Sequence, residues 1–130
     1  MNLFTYGTLM FPEVWKRIDI GEFVSTPAIL HGFAIYRVRD TVFPGIVRAS
    51  ATDQVRGLTF LDLDEATLFE IDTYETGFYE RIDVTATLDS GAEVPCSVYV
   101  IPDSRRHELT DDSWDALHFK EKELEKYLNG

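Results

Sequence analysis

Apolar and polar residues alternate with a period of two on both sides of residues 89–91, and this pattern predicts a β-hairpin. The alternating apolar positions are Ile82, Val84, Ala86, Leu88, Val94, Cys96, Val98 and Val100. A period of two is typical of a strand that buries one face, and the intervening Asp-Ser-Gly sequence favours a tight turn. We therefore expect two long antiparallel strands in the second half of the chain.

Shorter apolar runs predict further strands. Residues 2–6, 28–38 and 55–61 have the apolar and β-branched composition of strands. Within residues 42–47, the sequence Phe43-Pro44-Gly45 predicts a turn between two short strands. Strands therefore dominate the middle of the chain, and antiparallel pairing is expected to predominate.

Two segments in the second half have helical features. Residues 64–71 are rich in helix-favouring residues, and this helix is expected to end near Thr73. Residues 114–128 predict the last helix, with a charged face toward solvent. The candidate N-caps are Asp62 or Asp64 for the first and Asp112 or Ser113 for the second.

Together with a helix near Pro12, these elements predict one strand-rich α+β domain that spans residues 1–130. The sum is six or seven strands and three helices. No internal repeat, low-complexity tract or Pro/Gly/Ser-rich linker marks a domain boundary. The length is also within the usual range for a single domain.

The charge balance excludes two classes of partner. The chain has 23 acidic residues against 12 basic ones, a net charge of −11, and most of the acidic residues follow residue 50. Proteins that bind nucleic acids or anionic membrane surfaces use clustered Lys and Arg, so neither partner is expected. The sequence has no apolar run long enough to span a bilayer and no signal-peptide pattern at its start. We therefore expect a cytoplasmic protein.

Conventional signatures of metal and cofactor chemistry are missing from the sequence. It has no nucleotide-binding glycine motif and no zinc-protease motif. The histidines, His31, His107 and His118, lie far apart without ligand spacing. We expect neither a metal site nor a cofactor.

A first candidate for chemistry lies between the first strand and a helix. Gly7-Thr8-Leu9-Met10 leads toward Pro12, whose missing N–H suits an initial helical turn. Such a junction presents backbone N–H groups to a carboxylate or a developing oxyanion. The alternative interpretation is an ordinary turn that uses Gly7 for its backbone freedom. Thr8 is a possible nucleophile by residue type, but no base is identifiable beside it.

Glu75 is the second candidate. It lies between a predicted helix and a predicted strand, with Tyr74, Phe78 and Tyr79 close in sequence. A carboxyl group among aromatic rings loses water, which raises its pKa toward the value that acid/base catalysis at neutral pH requires. The alternative interpretation is a solvated loop acid.

The two candidates belong to a set of short motifs that resembles the gamma-glutamylcyclotransferase-like family, which includes gamma-glutamylamine cyclotransferases and plant avirulence-induced proteins. The resemblance covers about residues 3–101. Its motifs, in order, are Tyr6-Gly7-Thr8-Leu9-Met10, Phe43-Pro44-Gly45, Val55-Arg56-Gly57-Leu58, Ile71-Asp72-Thr73-Tyr74-Glu75 and Tyr79-Glu80-Arg81. It implies a small mixed β-barrel flanked by helices, with a substrate-binding loop and a catalytic Glu facing one cavity.

Carried onto this sequence, the resemblance implies that Glu75 is the acid/base. It also implies that Tyr6, Gly7, Thr8 and Leu9 bind a small gamma-glutamyl substrate, and that Tyr99 matches a cavity tyrosine of some members. The implied reaction releases 5-oxoproline and a free amine or amino acid from a gamma-glutamyl amine or peptide, without a cofactor. We expect a monomer or homodimer.

The glutathione-specific branch of that family carries Gly-Tyr-Gly-Ser-Leu and Tyr-Leu-x-x-Arg-Glu elements. Neither is present in this sequence, which favours substrates other than glutathione.

Two alternative functions remain. One is a non-catalytic ligand-binding or stress-related interaction module on the same fold. The other is a hydrolase or transferase that uses water or a second amine. The last helix lies outside the matched motifs. We expect it either to cover the cavity or to form a subunit contact.

Overall fold

A computed structural model of the chain, which describes residues 1–18, 21–75 and 77–129, has an α+β architecture. Its strands are β1 (Leu3–Thr5), β2 (Ser25–His31), β3 (Phe33–Arg37), β4 (Pro44–Arg48), β5 (Gln54–Phe60), β6 (Glu80–Leu88) and β7 (Glu93–Val100). Its helices are α1 (Pro12–Arg17), α2 (Glu65–Glu75) and three consecutive segments, Ala116–His118, Phe119–Glu123 and Leu124–Asn129, here called the C-terminal helix. Two 3₁₀ segments, Thr8–Met10 and Asp103–Glu108, complete the described elements.

Five strands close into a small barrel in the order β1-β5-β2-β6-β7. Every neighbouring pair is antiparallel except β1 and β7, which pair in parallel and close the barrel. The strands β3 and β4 form a separate antiparallel pair. The predicted α+β class and small mixed barrel are therefore confirmed, and so is the hairpin, in which Ile82 lies opposite Val98.

The strand prediction for residues 28–38 was wrong in one respect, because this run forms two strands rather than one. The break falls at Gly32, which has a φ of 84°. This left-handed conformation ends β2 and turns the chain directly into β3, and glycine adopts it at little cost.

The predicted turn at Phe43-Pro44-Gly45 was also wrong. Pro44 is the first residue of β4, a strand position that tolerates proline. The chain turns earlier, over residues 39–42, where Asp40 has a φ of 60°. The Pro-Gly pair is a general turn signal, but here it lies in a strand.

The two helices of the second half begin or end at residues other than those predicted. Helix α2 continues to Glu75 instead of ending near Thr73, while Asp64 is confirmed as its cap through a 2.7 Å bond from the Thr67 N–H. The C-terminal helix begins at Ala116, and Asp115 caps it by accepting from the Leu117 N–H at 3.0 Å. Neither Asp112 nor Ser113 is therefore the cap.

The core has a barrel interior and a layer between the barrel and the helices. The interior is filled by apolar side chains from the strands, including Phe4, Leu30, Val55, Ala86 and Val98. The outer layer joins α1, α2 and the C-terminal helix to the barrel through Val14, Trp15, Ile71, Phe119 and Leu124. This packing holds the ends of these helices near the same edge of the barrel.

Candidate active site

A cavity of about 340 Å³ opens where the segment after β1, the start of β4, the end of α2 and β7 meet. All six residues predicted to act on substrate line it: Tyr6, Gly7, Thr8, Leu9, Glu75 and Tyr99. The structure thus brings together residues that are far apart in sequence. Their individual roles stay predictions.

The segment after β1 is a short 3₁₀ turn. The Met10 N–H donates to the Gly7 carbonyl at 3.0 Å, and the Phe11 N–H donates to the Thr8 carbonyl at 3.2 Å. A helical turn does not use the N–H groups of its first residues, so those of Thr8 and Leu9 are not engaged by the turn. Trp15 of α1 fixes the turn from outside, because its indole N–H donates to the Leu9 carbonyl at 2.6 Å.

Gly7 is required for space. Its φ of −124° lies outside the left-handed region that favours glycine, but the space around it is restricted. A Cβ atom at this position would lie 2.9 Å from Cγ and 3.1 Å from Cδ of Pro44. Pro44 itself lines the cavity, so close packing of these two residues shapes the cavity wall.

Glu75 is the last residue of α2 rather than a loop residue, and it is partly buried. Its carbonyl accepts from the N–H groups of Phe78 and Tyr79 at 3.1 and 3.0 Å, which fixes the chain as it leaves the helix. Burial disfavours the charged carboxylate and raises the pKa of Glu75 to about 7. The group can therefore both accept and donate a proton near neutral pH.

Three tyrosines around Glu75 donate their phenolic protons in hydrogen bonds to other groups. Tyr6 donates to the Tyr99 carbonyl, Tyr79 to the Pro44 carbonyl and Tyr99 to Oδ1 of Asp72, each at 2.6 Å. A phenol has one proton to donate, so each hydroxyl oxygen can only accept a further hydrogen bond. Burial is the largest cause that raises the pKa of each tyrosine, so all three stay protonated at neutral pH.

Thr8, as a possible nucleophile, is not activated by the neighbouring Tyr74 hydroxyl. Its side chain is buried and lies close enough to the Tyr74 hydroxyl to lower the pKa of that phenol slightly. Burial nevertheless raises the pKa of Tyr74 above its ordinary value. A protonated phenol is not a base at neutral pH, so Tyr74 cannot activate Thr8.

Tyr127 and Pro44 are among the cavity residues that were not predicted from sequence as site residues. Tyr127 of the C-terminal helix lines the cavity, and its hydroxyl hydrogen-bonds to that of Tyr74. Pro44 supplies the carbonyl that holds Tyr79. The last helix therefore forms part of the cavity wall through Tyr127, while its predicted alternative role in a subunit contact stays a prediction. No local motif marks Tyr127, because it lies far along the chain from the rest of the site.

Two absences concern only the part of the chain that the structure describes. Among residues 1–18, 21–75 and 77–129, no group of three or more His, Cys, Asp and Glu side chains is placed to hold a metal ion. Over the same ranges, no helix combines the length and the apolar composition needed to cross a membrane.

Comparison with known proteins gives a match to one family over most of the chain. A family model described as "Gamma-glutamyl cyclotransferase, AIG2-like" matches residues 3–116. Protein AIG2 C of Arabidopsis thaliana is 27% identical over 128 residues, which cover 98% of this chain and 76% of that protein. These matches confirm the resemblance seen in the sequence motifs.

Solved structures show the same fold. An Arabidopsis thaliana protein solved in solution superposes with a TM-score of 0.76 at 27% identity, covering 98% of this chain and 77% of its own. A structure described as a gamma-glutamyl cyclotransferase superposes with a TM-score of 0.66 at 20% identity. That match covers 78% of this chain and 66% of the other.

Proposed function

We propose that this protein, which belongs to the gamma-glutamyl cyclotransferase, AIG2-like family, releases 5-oxoproline from a gamma-glutamyl amine or gamma-glutamyl peptide. The other product is the free amine or amino acid. Membership of the family supports cyclotransferase-type chemistry in general. The finer proposal is carried by one observation: Glu75, with a pKa of about 7, shares a cavity with the Tyr6–Leu9 segment.

The reaction is an intramolecular aminolysis. The α-amine of the gamma-glutamyl group attacks its own γ-carbonyl carbon, which forms the ring C–N bond, and the C–N bond to the leaving amine then breaks. The α-ammonium group loses two protons as it becomes the ring N–H, and the leaving nitrogen gains two as it departs as an ammonium group. Glu75 carries these protons one at a time, so protons balance without a cofactor. Both reacting groups belong to one molecule, so the protein must mainly fold the substrate and move these protons.

The raised pKa of Glu75 makes the proton transfer feasible. A solvated Glu is a poor base toward an α-ammonium, because their ordinary pKa values differ by roughly 3.5, equivalent to about 5 kcal/mol. A pKa of about 7 for Glu75 closes most of that difference. The protonated carboxyl then remains acidic enough to donate to the leaving nitrogen.

The two ends of the substrate fit different parts of the cavity. Beside Glu75, the hydroxyls of Tyr6, Tyr79 and Tyr99 have only acceptor capacity left, and this suits an α-ammonium group. Across the cavity, the N–H groups of Thr8 and Leu9 suit negative charge, either on the α-carboxylate or on the tetrahedral oxyanion. A volume of about 340 Å³ is near the lower end for ligand sites, which suits a small gamma-glutamyl substrate.

A product assay tests this proposal. The protein is incubated with a panel of gamma-glutamyl amines and dipeptides, and the products are identified by mass. We expect 5-oxoproline together with the free amine or amino acid. Glutamate as the first product would identify a hydrolase, and a new gamma-glutamyl compound would identify a transferase. A ligand retained without turnover across the panel would favour a binding module, and each of these three results contradicts the proposal.

The pH dependence of the reaction follows from the same carboxyl group. Since the free protein must present Glu75 as a carboxylate, kcat/KM is expected to rise about tenfold per pH unit below pH 7 and to level off above it. Initial rates at low substrate concentration from pH 4 to 9 measure this rise. If kcat/KM instead levels off near pH 4.5, the ordinary pKa of Glu, Glu75 is solvated.

Adding a methyl group at Gly7 is expected to damage the cavity. In Gly7→Ala the new Cβ must displace the Pro44 ring, which lies 2.9 Å away, and with it the carbonyl that holds Tyr79. We expect kcat/KM to fall about tenfold to 100-fold, because small misplacements cost this much. Gly91→Ala adds a methyl group in open space at the hairpin turn, where the left-handed φ of 89° strains the backbone away from the cavity. It is therefore the control for lost stability alone, and its kcat/KM is expected to stay unchanged. Unchanged kcat/KM in Gly7→Ala would show that the contact with Pro44 does not shape the site.

A further inference from the structure

Asp72 lies one helical turn before Glu75, at the end of α2, and it joins this helix to the barrel. Oδ1 of Asp72 accepts from the Tyr99 hydroxyl at 2.6 Å and from Nε of Arg81 at 2.8 Å. Oδ2 accepts from Nη2 of Arg81 at 3.1 Å. The Arg81–Asp72 pair is therefore bidentate, a geometry that fixes direction as well as distance.

Arg81 and Tyr99, which both bind Asp72, lie on one rigid unit of the barrel. Arg81 of β6 and Tyr99 of β7 lie directly opposite each other in the antiparallel register, so their side chains share one face. Arg81 also reaches β7 through Ser97, whose Oγ lies 3.4 Å from Nη1. Tyr99 is joined to the substrate-binding segment as well, because its carbonyl accepts from the Tyr6 hydroxyl.

We propose that Asp72, Arg81 and Tyr99 form a clamp that positions the Glu75 carboxyl group in the cavity. Residues three apart in a helix lie on neighbouring positions of one face, so fixing Asp72 fixes the turn that carries Glu75. This turn is the end of α2, where helices fray unless they are held. None of the three residues moves a proton in the proposed reaction. Asp72 and Arg81 act through Glu75 and are positioning residues.

The clamp also explains why α2 extends past Thr73. Thr and Tyr are weak helix formers, and residues 73–74 alone do not favour another turn. Three hydrogen bonds to Asp72 hold that turn against β6 and β7. The turn in turn keeps the Glu75 carboxyl partly buried beside the barrel.

Arg81→Met distinguishes a positioning role from a purely electrostatic one, because the two roles predict changes of opposite sign in the pKa of Glu75. Loss of a nearby positive charge alone raises the pKa of a carboxyl group. Loss of the clamp lets water reach Glu75 and lowers its pKa. We expect the pKa of Glu75, followed by ¹³C NMR of its side chain, to fall by about one unit from about 7.

The clamp rests on the proposed function only for its kinetic readout. In Arg81→Met we expect kcat to fall about tenfold while KM changes less than about threefold, because the carboxyl group is misplaced rather than removed. Arg56→Met removes an equal charge from an exposed position on β5 and is expected to change neither the pKa nor kcat. If Arg81→Met fails to fold, Tyr99→Phe, which removes a single hydroxyl and no charge, is expected to lower the pKa in the same direction.

The outcomes distinguish the two proposals. An unchanged or raised pKa of Glu75 in Arg81→Met, or in Tyr99→Phe where that variant takes its place, overturns the clamp and leaves the reaction standing. A lowered pKa in the variant, together with a wild-type protein that releases no 5-oxoproline, supports the clamp and overturns the proposed function. A lowered pKa with kcat reduced about tenfold supports both.

Discussion

Replacing Glu75 with Gln is expected to lower kcat by about 100-fold to 10,000-fold, the usual loss when a general acid or base is removed. The amide is nearly isosteric with the carboxyl group and keeps its place at the end of α2, but it can neither take the ammonium proton nor protonate the leaving nitrogen. Substrate binding is expected to be retained, since the Tyr6–Leu9 segment and Tyr99 are intact. Turnover by the Gln variant at the wild-type rate would contradict the assignment of Glu75.

The same variant gives an independent check through stability. Burial raises the pKa of Glu75 from 4.5 to about 7, so between these pH values the folded protein binds more protons than the unfolded chain. Wild-type stability therefore falls as pH rises through this window and is lowest, for this group, above pH 7. Glu75→Gln removes that cost and is expected to raise the free energy of unfolding at pH 8 by about 3 kcal/mol, and hardly at all at pH 4.5.

Urea unfolding of both proteins at pH 4.5 and pH 8 measures this difference. Glu70→Gln removes an acidic group from an exposed position of the same helix, where no burial penalises the carboxylate. It is expected to leave the free energy of unfolding nearly unchanged at both pH values. Equal stabilities of wild type and Glu75→Gln at pH 8 would show that burial does not penalise the carboxylate.

Phe119→Ala is expected to cause the largest loss of stability among single substitutions in the C-terminal helix. Phe119 has no exposed surface, and its ring lies 5.4 Å from that of Phe11, 5.6 Å from that of Trp114 and 5.7 Å from that of Tyr127, between ring centroids. Truncating a fully buried Phe to Ala leaves a cavity and costs about 3 to 5 kcal/mol. Denaturant unfolding measures this loss.

The functional consequence of Phe119→Ala follows from its contact with Tyr127, which lines the cavity. A loosened C-terminal helix is expected to remove that part of the wall, so KM should rise more than kcat falls. Leu117→Ala, on the same helix but 60% exposed, is the matched control and is expected to change stability by less than about 0.5 kcal/mol. A Phe119→Ala protein as stable as this control would show that the helix is not anchored through Phe119.

The sequence allowed prediction of features that local patterns encode. The β6–β7 hairpin follows from a strict period of two, and Glu75 stands out because aromatic residues surround it within a few positions. The family resemblance, which rests on several short motifs, then implies that it faces the Tyr6–Leu9 segment. Each of these signals lies within a few consecutive residues, so sequence reasoning could find it.

Features that depend on tertiary contacts could not be predicted. The Pro44-Gly45 pair has the composition of a turn but lies in β4, where the Pro44 carbonyl accepts from the distant Tyr79. Helix α2 extends past Thr73 because Asp72 is bound by Arg81 and Tyr99, contacts that span the β6–β7 hairpin. Tyr127 reaches the cavity only because the C-terminal helix packs on the barrel.

The most direct test of the central claim is the reaction run in water enriched in oxygen-18, with the products separated and their masses measured by mass spectrometry. Intramolecular aminolysis takes no oxygen from the solvent. We therefore predict unlabelled 5-oxoproline, released together with the free amine or amino acid by wild type and at least about 100-fold more slowly by Glu75→Gln. Glutamate carrying one oxygen-18 atom, or 5-oxoproline released equally fast by both proteins, would contradict the proposed reaction or the role of Glu75.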